Sequence, residues 1–238
     1  MWFRSQFNNG QLSHYNYYLM KTLPIQHEWN LTPREARALQ SRLAAGVIRK
    51  SLRRRIRTVA GVDVHIHGHV VRAGAVVLDF PGLNTICQAT AEFPVNFPYI
   101  PGLLSFREAP VALAAIQRLG TLPDALIVDG QGIAHPRRFG LACHLGLILD
   151  IPAIGCAKSR LCGRHGTPAV TRGSRVPLID TNEIIGTVLR TRTGVRPVYV
   201  SIGHRVSLND AVDIVLACTP VYRLPKTTRL AHRLAGKQ

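Results

Sequence analysis

Asp129 closes the short apolar run Ala125–Val128 and is followed at once by Gly130 and Gly132. Four apolar residues, two of them β-branched, read as a buried strand. A strand tip that delivers one carboxylate and then turns through glycine lets a ligand approach the backbone closely. The plainer reading is an Asp-Gly turn whose carboxylate bonds its own backbone. Downstream, His135-Pro-Arg-Arg138 reads as a helix opening with Pro136 at the first helical position. An acid beside a positive helix end and two arginines suits phosphate chemistry, with His135, Arg137 and Arg138 as candidate phosphate contacts.

Other residues offer themselves for the same chemistry. Asp63 lies in the strand pattern Thr58–His65, and Lys158 follows the buried strand pattern Pro152–Ala157. Glu108 is ambiguous, because Ser105-Phe-Arg-Glu108 is a capping box that would account for it fully. Phe97-Pro-Tyr-Ile-Pro-Gly102 is a stiff loop. Its ring is either a plug on the core or an exposed wedge able to enter a base stack. Asp63, His65, His67 and His69 could share one strand face and bind zinc, but Gly68 favours a polar hairpin tip.

The totals narrow the partner. The chain has 238 residues, 30 Lys and Arg against 13 Asp and Glu, and a formal charge of +17. Eight basic residues and no acid lie between Arg37 and Arg57. Such a surplus points to a polyanion, with nucleic acid ahead of membrane. A carboxylate at a strand end of so basic a chain repels phosphate unless a divalent metal lies between them. Five cysteines without a Cys-x-x-Cys pair read as reduced residues. No apolar run reaches the roughly 20 residues of a membrane span, and no signal-peptide pattern opens the chain. A soluble, cytoplasmic monomer is expected, without a membrane partner.

The elements that must position these groups follow in order. Residues 1–25 are expected to be a disordered extension, with Met20 an alternative start, and 26–238 a single domain. Thr32 caps a helix running toward Arg49 with Ala38, Leu39, Leu43 and Val47 inward. Strands at Thr58–His65, Val71–Phe80 and Asn84–Phe93 form an antiparallel meander. A helix from Ser105, the Asp129 strand, a helix over 136–149 and the strand ending at Ala157 come next. Thr167–Ile185 reads as loop with scattered strand signal. A strand at Val198–Ile202, a helix capped by Ser207 and a short helix near Arg229–Leu234 complete a mixed α/β sheet with helices on both faces.

Two strand aspartates and a helical glutamate resemble the acid arrangement of ribonuclease-H-like nucleases. Ala60-Gly-Val-Asp63, Pro98-Tyr-Ile-Pro-Gly-Leu-Leu-Ser-Phe-Arg-Glu108 and the segment Val128–Gly140 are similar to the endonuclease V family, deoxyinosine-directed repair nucleases. So are Gly155-Cys-Ala-Lys-Ser-Arg-Leu161, Gly203-His-Arg-Val-Ser207 and Tyr222-Arg-Leu-Pro225. The resemblance implies a metal-dependent endonuclease using Mg²⁺, with Mn²⁺ as substitute. It would cut the second phosphodiester bond 3′ to deoxyinosine, leaving a 3′-hydroxyl and a 5′-phosphate. It implies Asp63 and Asp129 as metal ligands, and Glu108, Lys158 and His232 as further catalytic residues. Pro98, Tyr99, Ile100 and Pro101 would be the strand-separating wedge. Gly102, Leu103, Gly130, Gly132 and Ile133 would line the pocket for the flipped base. Lys226-Thr227 depart from the Glu-Pro often found there, and residues before about 25 have no counterpart. The rival readings are a nuclease of the same fold acting on inosine-containing RNA or branched DNA, and a silent nucleic-acid-binding module.

Overall fold

A computed structural model describes residues 27–236. The expected extension therefore lies outside the described residues. Thr32 opens α1 (Pro33–Ala44) with the full capping box to Glu35, and Leu39 faces the core while Ala38 is exposed, against expectation. Next come β1 (Thr58–His67), β2 (Val70–Asp79) and β3 (Thr85–Pro94). They pair antiparallel, as the alternating apolar pattern requires. Then follow α2 (Leu104–Gln117), β4 (Ala125–Val128), α3 (Leu141–Leu149) and β5 (Ala153–Ala157). The chain ends with β6 (Arg175–Asp180), β7 (Glu183–Leu189), β8 (Val198–His204), α4 (Leu208–Ala217) and α5 (Lys226–Ala235).

One sheet contains all eight strands in the order β3-β2-β1-β4-β5-β8-β7-β6. β1, β4 and β5 are parallel and central, so their carboxyl ends meet at one edge. That is where an open α/β sheet places its ligands. Alternate residues feed two cores: Ala60, Leu126 and Val128 face α1 and α2, while Val59, Ala125 and Ile127 face the α4 and α5 side. Helices cover both faces.

α5 lies unusually close to β1 and β2. A Cβ on Gly61 would stand 2.3 Å from the Thr227 carbonyl carbon, and one on Gly74 2.5 Å from the Ala231 carbonyl oxygen. Glycine at both positions lets the helix backbone rest on the sheet, which fixes His232 on α5. Gly61→Ala is therefore expected to lower the melting temperature by about 4–10 °C, the scale of an overpacking penalty of roughly 1–3 kcal/mol. A thermal melt unchanged within a degree would show that α5 can move away freely.

Two expectations need correction. The segment Thr167–Ile185 contains β6 and the start of β7, joined at Thr181 and Asn182 in a hairpin. Leu178 is the single fully buried residue of β6, so the edge strand shows too little alternation to read. The helix expected over 136–149 starts only at Leu141. Arg138 adopts a left-handed conformation at φ 55°, which no helix interior accepts.

Candidate active site

Most acids hold the fold. Glu35 and Asp210 accept from helix-opening groups, Asp79 holds the turn at Asn84, and Asp124 accepts from Arg57 and Thr58 at the start of β1. Asp150 pairs with Arg205 and His204, and Asp180 and Glu183 with Arg138. Asp63, Glu108 and Asp129 are differently placed, near one another at the carboxyl ends of the central strands.

The sheet register brings the aspartates together. Val62 pairs with Val128 in the parallel β1–β4 ladder, and the Asp129 amide donates to the Val62 carbonyl at 3.4 Å. Asp63 and Asp129 thus project one step later from adjacent strand ends. Their side chains are only 11% and 12% exposed. Glu108 approaches from α2. The capping box expected for it is not formed, because Leu103 is the N-cap and no side chain caps the helix. Ser105 lies inside the helix, its Oγ buried without a partner. Glu108 therefore has no structural duty at its own helix end.

The electrostatics agree. Burial first, then Asp63 and Asp129, push the Glu108 carboxyl up to about 8. Burial and then Asp129 also raise Asp63 above the usual carboxylate range. Lys158 and His232 face these carboxylates. Lys158, directly after β5, pairs with Asp129. Burial works against its ammonium, but Asp129 outweighs that and holds it above the ordinary lysine value. His232 Nδ1 lies 2.6 Å from Asp63 Oδ2.

Glu108 and Asp63, whose proton affinity their carboxylate neighbours help drive up, lie in a site short of positive charge. Their hard oxygen donors suit a divalent cation such as Mg²⁺. Among the described residues no three such side chains already converge as a ready metal-holding group. Asp63 and Asp129 turn instead to His232 and Lys158.

The structure sorts the remaining candidates. Tyr99 is 71% exposed at the loop tip, which overturns the plug reading. Phe97 and Leu103 anchor the loop's two ends in the core, and Ile100 packs partly against it. Pro98 and Pro101 are exposed. Gly130 has room for a neighbour, its nearest contacts being ordinary ones to Leu141. Gly132 does not: a Cβ there would stand 2.0 Å from the Ile202 carbonyl oxygen, so β8, and not a ligand, makes the close approach. Ile133 is buried and donates its amide to that same carbonyl.

The segment after the turn also differs from expectation. The amides of Gly140 and Ala142 donate to the carbonyls of Gly132 and Gln131, so the α3 start caps the glycine turn. His135 is 3% exposed, and Arg137 and Arg138 are committed to protein partners. These side chains hold the turn. The strand bearing His65 and His67 ends at His67, and Gly68 makes the hairpin tip.

One contributor carried no chemical signal in the sequence beyond its motif. The Arg223 guanidinium donates to the carbonyls of Lys158, Arg196 and Pro197 at 2.8–2.9 Å. It pins the strand end that presents Lys158.

One mixed sheet with helices on both faces and carboxylates at the carboxyl ends of its central parallel strands has the architecture of a ribonuclease-H-like nuclease. The sequence model of the family named Endonuclease V matches residues 41–233. The chain belongs to the endonuclease V family and is a DNA repair endonuclease. Endonuclease V of Trichormus variabilis is 53% identical over 215 residues, covering 89% of this chain and 97% of its own. The crystal structure of Endonuclease V from Streptomyces avermitilis superposes with a TM-score of 0.84 at 46% identity, covering 89% of this chain and 94% of that one. Ciona intestinalis Endonuclease V, solved in complex with a 24mer DNA containing an inosine followed by a ribo-adenosine, is 26% identical with a TM-score of 0.74. That alignment covers 85% of this chain and 95% of the Ciona chain.

Proposed function

We propose that this chain recognises deoxyinosine in DNA and hydrolyses the second phosphodiester bond on its 3′ side, leaving a 3′-hydroxyl and a 5′-phosphate. The observation that carries the reading is the placement of Asp63 and Asp129 at adjacent strand ends, paired with His232 and Lys158, with Glu108 close enough to feel both charges from the helix that follows the Tyr99 loop. The Ciona complex with inosine-containing DNA supports the substrate.

Asp63 and Asp129 would hold Mg²⁺, with Glu108 at its side. Bound there, the ion supplies a polarised phosphate and an oriented water. The chain's own groups do the rest. Lys158, kept protonated beside Asp129, meets the charge that develops on the phosphate. His232, half exposed opposite Asp63, is placed to hold or pass a proton at Nδ1. Gly130 leaves the floor beside Asp129 open. The basic surface supplies affinity for duplex of any sequence. A mispaired inosine costs less to extrude than a paired base, which favours it as the flipped residue. A second substrate, inosine in an RNA strand, is favoured by the ribo-adenosine that follows the inosine in the Ciona complex.

Tyr99 tests the recognition half of this reading. Stacking of a base on an aromatic ring is worth roughly 1–3 kcal/mol, so Tyr99→Ala is expected to weaken binding to inosine-containing duplex about ten- to a hundredfold. Affinity for undamaged duplex should change little, and the melt should hold because the ring is exposed. Unchanged inosine preference in a well-folded variant would remove Tyr99 from recognition.

A further inference from the structure

The Pro98–Pro101 tip is held by more than its two prolines. Between the exposed tip and the fully buried Leu103 lies a single carbonyl, that of Gly102, which accepts two hydrogen bonds. Arg137 Nη2 donates at 2.7 Å and His135 Nε2 at 3.0 Å. Gly102 has φ 79°, and a Cβ there would come within 2.8 Å of Arg137 Nη2. Glycine both permits the turn and lets the guanidinium close over it.

The donors are themselves fixed. His135 Nδ1 accepts from the Arg137 amide at 3.1 Å. That requires a neutral ring with its proton on Nε2, the tautomer that donates to Gly102. Burial, and then Arg137, keep His135 down at about 4, so the ring stays neutral near neutral pH. Arg137 Nε donates to Gln40 Oε1, and Gln40 Nε2 donates to the Phe139 carbonyl at 2.6 Å. Gln40 is 1% exposed on the inner face of α1. A continuous set of bonds therefore runs from α1 through Gln40 and Arg137 to the loop that carries Tyr99.

A wedge gains from stacking only what it does not lose in ordering its own loop. We propose that Gln40 and Arg137 are positioning residues for lesion recognition: by holding the Gly102 carbonyl they set the Tyr99 wedge before DNA arrives. The preference for inosine is thus set in part from α1, remote from the carboxylates. This rests on reading Tyr99 as the wedge.

The test uses the full-length protein with Mg²⁺. Gln40→Met keeps length and volume but loses both hydrogen bonds. Gln40→Glu keeps the acceptor for Arg137 and strengthens it with charge, while it sets a carboxylate oxygen against the Phe139 carbonyl in place of the donor. Losing one anchoring bond is expected to cut the ratio of inosine to undamaged duplex affinity about five- to tenfold in Gln40→Met. The loss should appear in KM and not in kcat. A 2-aminopurine placed next to the inosine should brighten less on binding than with wild type. Gln40→Glu should restore the ratio to within about twofold of wild type, since Arg137 regains its partner. Should Gln40→Met lower the melting temperature substantially, Arg137→Lys, which keeps the charge but not the forked reach, is read with the same expectation. An unchanged ratio in these variants, or a fall in kcat in step with the ratio, overturns the proposal. Tyr99→Ala, measured beside them, separates the two levels. If it too leaves the ratio unchanged, the wedge reading fails and this one with it. If Tyr99→Ala lowers the ratio and the Gln40 and Arg137 variants do not, only the positioning role fails.

Discussion

Asp129→Asn abolishes nicking while the protein goes on binding inosine-containing DNA at least as tightly as wild type. The expected loss is about a thousandfold or more, the scale on which removing a group that stabilises transition-state charge acts in a preorganised site. Asp129 is 12% exposed, borders Asp63 across the ladder and carries the Lys158 pair. Asparagine fits the same space and cannot offer the charge a divalent cation needs. Lys158 then loses its partner and is freed toward phosphate, and the site sheds one repulsive charge, so affinity rises or holds. Single-turnover cleavage with a parallel binding titration in Mg²⁺ reads both. Nicking near the wild-type rate would reduce Asp129 to a turn residue.

Glu108→Gln should separate chemistry from stability in the opposite way. Cleavage is expected to fall at least about a hundredfold, while the metal-free protein becomes more stable at alkaline pH. The sign follows from the raised carboxyl. In the native state Glu108 keeps its proton up to about pH 8, whereas the unfolded chain releases it near 4.5. The native state thus binds more protons between those values, and stability falls as pH rises through that window. Below it the group costs nothing; above it the native protein must hold a buried charge against Asp63 and Asp129. A penalty on the order of 2–4 kcal/mol would be removed by glutamine, raising the melting temperature at pH 8.5 by about 5–10 °C. At pH 4 wild type and variant should melt together. Identical melts at both pH values would place Glu108 outside the cluster.

What could be read from the residues alone followed from patterns that are local. The β1–β3 meander shows as three alternating runs with short turns, and Thr32 and Ser207 cap their helices as their spacing implies. Asp129 and Lys158 stand at strand ends because each follows a buried apolar run that neighbouring strands must cover on both faces. What failed depended on partners distant in sequence. Ser105-x-x-Glu108 satisfies the capping rule, yet the chain enters α2 two residues earlier, and the box never forms. Gly132 reads as room for a ligand until β8, seventy residues on, proves to be what fills that room. His135, Arg137 and Arg138 carry the charges of a phosphate site, but Gly102, Gln40, Asp180 and Glu183 claim them first. Charge can be counted from sequence; its commitments cannot.

This carboxylate site is expected to cut DNA at a fixed distance from deoxyinosine. The most direct test incubates matched, end-labelled strands carrying deoxyinosine, uracil, a mismatch or riboinosine with the full-length protein, with and without Mg²⁺, and maps the products at nucleotide resolution. The expected result is a Mg²⁺-dependent nick at the second phosphodiester bond 3′ to deoxyinosine, with a 3′-hydroxyl and a 5′-phosphate, and little cutting at uracil or the mismatch. Equal cutting of all four strands, or a nick that does not move when the deoxyinosine is moved, would contradict it.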